Sequence, residues 1–138
     1  MITPFERDFY VQRRAPFPEN TPFILSDDET GLPIDLTGAT ITMEIRLYEG
    51  ATGSALLSIS TAGASPNSRI VISSGEDGAF LPIITEADHE ALPAGPDPHP
   101  TTLRSTARFR YDIKVTPATG VAFIAGSGIY YVQAGVTP

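Results

Sequence analysis

The chain has 138 residues, 41% of them hydrophobic, which suits one domain with its own core and argues against global disorder. A net charge of −7 argues against broad binding to a nucleic-acid backbone, and the absence of cysteine excludes disulfides and thiolate metal sites. The N-terminus lacks a signal-peptide pattern, and no apolar run reaches the roughly 20 residues of a membrane span. We therefore expect a cytoplasm-like compartment and neither a nucleic-acid nor a membrane partner.

The N-terminal residues are predicted to form an arm. Residues 1–18 make up this arm, and residues 19–138 make up a β-sandwich domain. A short strand within the arm places Phe9 and Val11 on one side, before two prolines break the chain. Phe9 is open to two interpretations, an anchor on a neighbouring subunit or a core residue of its own domain. We expect deletion of residues 1–16 to leave the domain folded and to abolish its incorporation into an assembly.

Two alternating strands define the fold class. Apolar and polar residues alternate from residue 39 to 48 and again from 107 to 116, which places each set on its own face of a sheet. Weaker strand candidates surround them, at residues 21–26, 55–60, 69–73, 79–84, 121–125 and 129–134. The glycines of Gly126-Ser127-Gly128 indicate a bulge or a break between the last two. About eight short strands predict an all-β, antiparallel β-sandwich.

One short helix is predicted near residues 85–92. Thr85 is a good N-cap, and Asp88 occupies the position at which a capping box places its acidic partner. Pro93 and Gly95 end the helix after about two turns. His89 is interpreted as a solvated residue of this helix. The proline-rich stretch that follows, residues 93–106, is interpreted as a surface loop.

The sequence contains no recognisable catalytic motif. His89 and His99 lack the additional ligands at defined spacing that a metal site needs. The acidic run at residues 27–29 is either an exposed turn or a set of calcium ligands, although it lacks the spacing of an EF-hand. We therefore predict no catalytic, cofactor-binding or metal-binding residues, and a protein that is not an enzyme.

Candidate interface residues fall in three places. The arginines near the 107–116 strand have two interpretations, a patch for an acidic partner or a solvated face with cross-strand ion pairs to residues such as Glu44. The arm contributes aromatic anchors, and the 93–106 loop contributes prolines. The full set is Phe5, Phe9, Tyr10, Phe17, Pro96, Pro98, Arg104, Arg108 and Arg110.

A series of motifs carries a family resemblance. In chain order they are Pro33-Ile34-Asp35-Leu36-Thr37-Gly38-Ala39-Thr40, Gly78-Ala79-Phe80, Thr85-Glu86-Ala87-Asp88, Leu92-Pro93-Ala94-Gly95, Phe109-Arg110-Tyr111-Asp112-Ile113 and Val136-Thr137. From about residue 20 onward the chain resembles the immunoglobulin-like domains of tailed-phage and prophage structural proteins, in particular the N-terminal domain of phage baseplate upper proteins.

The resemblance implies an immunoglobulin-like sandwich and a non-enzymatic structural virion protein. It would be made in the host bacterial cytoplasm and would lie in the tail, baseplate, neck or capsid surface. Its partners would be other virion proteins and copies of itself in a symmetric homo-oligomer, with no cofactor. The alternative is a carbohydrate-binding β-sandwich that uses exposed aromatics for attachment to a host surface, against which the absence of tryptophan counts.

Overall fold

The computed structural model describes residues 3–13, 15–18, 20–47, 53–92 and 106–133. The elements within these ranges are β1 (Phe5–Glu6), β2 (Phe9–Gln12), β3 (Phe23–Ile24), β4 (Thr40–Arg46), β5 (Leu57–Ser60), β6 (Arg69–Ser74), β7 (Ala79–Ile83), α1 (Glu86–Ala91), β8 (Thr106–Thr116) and β9 (Phe123–Gln133). They confirm an all-β sandwich with one short helix. The described residues contain no helix that is long and apolar enough to cross a membrane.

The strands form two sheets. The larger sheet has the order β1-β9-β8-β4-β5, with β2 also paired to β9, and the smaller sheet has the order β3-β7-β6. Neighbouring strands are antiparallel except β1 and β2, which both run parallel to β9. The core lies between the two sheets.

The side chains of β4 and β8 alternate between the two faces of the sheet, as their period of two residues predicts. Ile41 and Met43 of β4 are fully buried opposite Val115 and Ile113 of β8, while the residues between them point away from the core. Each such side chain contributes about 1.5–3 kcal/mol by leaving water. This inward face therefore fixes the register, because a slip of one residue would expose the whole row.

The N-terminal segment is part of the sandwich, which corrects the prediction that residues 1–18 form an arm. β1 and β2 lie along β9, with Phe9 opposite Tyr130 and Val11 opposite Val132 in the register. Phe9, Val11 and Phe17 are buried in the chain's own core. Deletion of residues 1–16 would take Phe9 and Val11 out of that core, so we expect it to destabilise the domain.

Two glycines in β9 make room for this segment. A Cβ at Gly126 would lie 2.3 Å from the ring of Phe5, and one at Gly128 would lie 2.0 Å from the carbonyl oxygen of Arg7. β9 itself is one continuous strand, which corrects its division into two predicted strands. Its register against β8 shifts between Ile113 and Lys114, which confirms the expected bulge.

The helix is held at both ends. The hydroxyl of Thr85 accepts a hydrogen bond from the backbone N–H of Asp88 at 3.3 Å, which confirms the predicted N-cap. At the other end the guanidinium of Arg13 donates to the carbonyl oxygens of His89 and Leu92. Leu92 is buried, so the helix is fastened to the sandwich next to the N-terminal segment.

Candidate interaction surface

His89 is buried, which corrects its assignment as a solvated helix residue. Its side chain has no exposed surface, and both ring nitrogens are hydrogen bonded. Nδ1 lies 2.7 Å from the carbonyl oxygen of Ala15, and Nε2 lies 2.6 Å from the hydroxyl of Tyr130. Since a carbonyl can only accept, Nδ1 carries the proton and the neutral ring accepts from Tyr130 through Nε2.

This environment makes His89 a structural residue. Burial lowers the pKa of His89, while the hydrogen bond to Ala15 and the charge of Asp88 oppose that effect and the charge of Arg13 adds to it. The neutral ring joins the helix, the N-terminal segment and β9. A proton donor or acceptor for a substrate needs an accessible nitrogen, and neither nitrogen of His89 is accessible.

The acidic turn at residues 27–29 is held by its own backbone. The Asp27 carboxylate accepts hydrogen bonds from the N–H groups of Glu29 at 2.8 Å and Thr30 at 3.3 Å. These bonds lower the pKa of Asp27. Within the ranges that the structure describes, no three histidine, cysteine, aspartate or glutamate side chains come close enough to hold a metal ion. The Asp27 carboxylate therefore serves to hold the turn itself.

The surface with the most unusual composition is the outer face, defined as the side of β2, β9, β8, β4 and β5 that points away from the smaller sheet. One row across it is aromatic. Tyr10 on β2 stacks on Tyr131 on β9, with the ring centroids 4.5 Å apart and the planes 5° from parallel. Tyr10 is 59% exposed, and Arg108 on β8 lies opposite Tyr131 in the register. Tyr130, the chain neighbour of Tyr131, points to the opposite face and lies in the core.

A charged quartet lies at the centre of the outer face. It consists of Arg46 and Arg110, directly opposite each other on β4 and β8, and Glu44 and Asp112, directly opposite each other one row further along. The cations therefore share one row and the carboxylates share the next. Arg46 also forms an ion pair with Glu44 of its own strand, at 3.5 Å.

The quartet places like charges face to face. Burial raises the pKa of Asp112 and the neighbouring charge of Glu44 raises it further, while the charges of Arg46 and Lys114 oppose this rise. Of the two interpretations of the arginine strand, cross-strand ion pairing has support on the diagonal, because the charge of Arg46 on β4 stabilises the carboxylate of Asp112 on β8. Directly opposed like charges weaken a pair of strands, and the attractions between the two rows offset part of that cost.

The structure brings together three of the predicted interface residues and separates the others. Tyr10, Arg108 and Arg110 share the outer face. Phe9 and Phe17 are 3% and 8% exposed, which supports the interpretation of Phe9 as a core residue of its own domain and corrects the expectation that Phe17 anchors a neighbouring subunit. Arg104, Pro96 and Pro98 lie outside the described residues, as do His99 and all but the last residue of the 93–106 loop.

Phe5 is half-buried and lines a pocket at the edge of the domain. A pocket of about 280 Å³ opens between β1 and β3 and is lined by Phe5, Glu6, Arg7, Phe23 and Ile24. The guanidinium of Arg7 lies over the ring of Phe23, 5.4 Å from its centroid, and over the ring of Phe9 at 5.2 Å. These cation–π contacts hold the Arg7 side chain against the aromatic residues beneath it.

Glu44, Arg46 and Asp112 also lie on the outer face but are not among the interface candidates chosen from the sequence. Glu44 and Arg46 were recognised as the polar side of a strand, but their role depends on which residues of β8 lie opposite them. The chain matches no family model and no curated protein, so the resemblance to phage structural domains rests on the sequence motifs alone.

Proposed function

We propose that this chain is a non-enzymatic structural protein that works by docking to other proteins through the outer face of its larger sheet. The observation that carries the proposal is the composition of that face. Exposed Tyr10, Arg108 and the charged quartet lie together on rigid strands, and aromatic and arginine side chains are those enriched at protein interfaces.

The inside of the domain supports the same proposal. Among the residues described, every buried side-chain nitrogen or oxygen has a hydrogen-bond partner, and His89 is enclosed by Ala15 and Tyr130. A buried polar network that is fully satisfied rigidifies a fold, which suits a docking module.

The family resemblance supplies the setting, a tailed-phage particle. The motif residues include Leu36 and Gly78, which lie in the turns beside β4 and β7, and Phe80 and Phe109, which are core residues. They support a shared fold, and the virion setting follows from the resemblance. We place the protein in the virion, made in the host cytoplasm, with other virion proteins as its partners.

The test is the composition of purified particles. Particles would be purified by density gradient from an induced culture of the bacterium that encodes the chain, and analysed by quantitative mass spectrometry. We expect the chain at a fixed, symmetric ratio to the major capsid protein. Its absence from particles that contain the capsid and tail proteins would contradict the virion setting.

The docking role has its own test. Tyr10→Ala combined with Arg110→Glu changes two residues of the outer face, and Arg69→Glu combined with Leu32→Ala makes the same change in net charge elsewhere. We expect the first pair to remove the chain from particles while its thermal unfolding stays unchanged, and the control to be incorporated normally. Normal incorporation of the first pair would show that this face does not dock.

The second candidate function is carbohydrate binding, which the stacked Tyr10 and Tyr131 favour. Sugar rings bind against the flat face of an exposed aromatic, and Tyr10 presents such a ring. Binding to a defined glycan on an array, lost in Tyr10→Ala, would support this function over docking. Absence of binding across a broad array of bacterial surface glycans would reject it.

A further inference from the structure

We propose that the outer face binds a second copy of this chain, face to face about a two-fold axis, with the charged quartet at the centre of the contact. This deepens the proposed assembly function, on which it rests, by naming a partner and the residues that recognise it. The basis is the order of charges across β4 and β8.

The quartet is self-complementary under a two-fold rotation. Its cations, Arg46 and Arg110, form one row, and its acids, Glu44 and Asp112, form the next row on the same two strands. Consider an axis that lies between two facing sheets, runs across the strands and passes between these rows. Rotation about it exchanges the rows, so a residue of one copy faces its strand neighbour two positions along in the other.

The result is a set of opposite-charge contacts between the copies. Arg110 faces Asp112 of the second copy, Arg46 faces Glu44 of the second copy, and the symmetry repeats both contacts. Within one domain the same residues form directly opposed like-charge pairs. The second copy therefore supplies each carboxylate with an additional cation and each cation with an additional carboxylate, which favours this partner and this register.

The rows on either side extend the contact. The same axis brings the row of Tyr131 and Arg108 opposite the row of Ile124 and Lys114 of the second copy. Tyr131 then packs near Ile124, a hydrophobic residue that is 40% exposed in the single domain. Arg108 faces Lys114, a like-charge contact at the rim that weakens the dimer.

The size of the face sets the strength of binding. Five strands at a spacing of about 4.8 Å and a length of about seven residues cover roughly 550 Å² on each copy. The two copies together bury roughly 1,100 Å², which is at the lower end for specific interfaces. We therefore expect a weak dimer in solution, with a dissociation constant in the micromolar range or above, that becomes populated at the high local concentration of an assembly.

The experiment uses charge reversal and mixing. Arg46→Glu with Arg110→Glu makes the quartet wholly acidic, and Glu44→Arg with Asp112→Arg makes it wholly basic. Self-association is measured by sedimentation equilibrium for the wild type, for each variant and for a mixture of the two variants. Glu29→Arg with Glu76→Arg is the control, because it changes the net charge by the same amount as the basic variant at exposed sites away from the face.

We expect each quartet variant to self-associate at least about 30-fold more weakly than the wild type, because four attractive contacts become repulsive. The mixture should form a one-to-one heterodimer, and the control should behave like the wild type or better. Arg108→Glu should tighten the wild-type dimer about threefold to tenfold by turning its contact with Lys114 into an attraction.

Three results would overturn the inference: a wild type that stays monomeric up to about 1 mM, variants that dimerise like the wild type, or a mixture of folded variants that stays monomeric. If a double variant fails to fold, the single changes Arg46→Glu and Glu44→Arg provide the same mixing test. A monomer found in particles would contradict this inference and leave the proposed assembly function standing. If the chain forms a charge-dependent dimer but is absent from particles, this inference stands and the proposed assembly function is contradicted.

Discussion

The two faces of the larger sheet are formed by the same strands but differ in how their polar and charged groups are arranged. On the inner face Phe9, Tyr130 and His89 pack together, and the polar atoms among them are hydrogen bonded. On the outer face two like-charge pairs lie side by side at the centre of β4 and β8. The inner face is packed and hydrogen bonded within the domain, whereas the outer face places like charges opposite each other and opposite charges along each strand. That contrast is one reason for the proposal that the outer face docks to a partner.

Deleting residues 1–16 should destabilise the inner face more than any single substitution in it. It removes β1 and β2, takes Phe9 and Val11 out of the core and leaves Tyr130 exposed along β9. We expect loss of the cooperative unfolding transition, or a loss of at least about 5 kcal/mol in the free energy of unfolding. Urea unfolding followed by circular dichroism measures this.

The matched control keeps the strands and removes only outward side chains. Thr3→Ala, Glu6→Ala and Tyr10→Ala combined change three exposed residues of the same segment. We expect it to lose at most about 1–2 kcal/mol. A deletion variant as stable as this control would mean that the segment is an arm after all.

Gly128→Ala tests how closely the N-terminal segment approaches β9. The added Cβ would lie 2.0 Å from the carbonyl oxygen of Arg7, which also accepts a hydrogen bond from the hydroxyl of Tyr111. Because the obstruction is backbone, we expect a loss of about 1–3 kcal/mol. Ser127→Ala, its half-buried neighbour, should be within about 0.5 kcal/mol of the wild type. Equal unfolding midpoints for the two variants would argue against the tight fit.

His89 should make the inner face sensitive to acid. Burial lowers its pKa in the folded state below the ordinary value of 6.5, so the unfolded chain binds the proton first as the pH falls. The stability due to the neutral ring is complete above pH 6.5. It is lost below that value, by up to about 1.4 kcal/mol per pH unit, until the folded-state pKa is reached.

The measurement is the free energy of unfolding between pH 7.5 and 5.5, with His89→Gln as the comparison. We expect the wild type to lose more stability over this range than the variant does. Tyr130→Phe removes the donor to Nε2 and should cost about 1–3 kcal/mol at pH 7.5. Identical pH profiles for the wild type and His89→Gln would contradict the burial of the neutral ring.

The smallest effect concerns the outer face. Asp112→Thr removes one of two opposed carboxylates and adds a good strand former, so we expect a gain of about 0.5 kcal/mol at neutral pH in dilute protein. The gain should shrink as the pH falls through the raised pKa of Asp112, because protonation relieves the same repulsion. Lys114→Thr is the control. A loss of stability in Asp112→Thr would mean that Asp112 stabilises the single domain.

Sequence reasoning succeeded where the information was local. The alternation in β4 and β8 identified their inward residues, and Thr85 with Asp88 identified the start of the helix. It failed for His89 because the groups that bury it, Ala15 and Tyr130, lie 74 and 41 residues away along the chain. It failed for the quartet because period two gives the face of a residue but not its partner on the next strand.

A signal for the N-terminal segment was present but was interpreted too locally. Gly126 and Gly128 indicate a place where something approaches the strand closely, and the sequence alone does not say what. The register supplies the answer, because Phe5 lies opposite Gly126. The same limit applies to Phe9, for which the sequence favoured core burial at least as strongly as an exposed anchor and did not decide between them.

β1 and β2 pair in parallel with β9, whose residues are synthesised more than a hundred positions later in the chain. Phe9 leaves the ribosome long before its partner Tyr130 is synthesised. At about 5–20 residues per second that interval lasts roughly 6–24 s, during which Phe9 and Val11 lack their partners on β9. The final sheet therefore closes only after synthesis of β9, and we expect chaperone dependence in the nascent chain that the finished protein no longer shows.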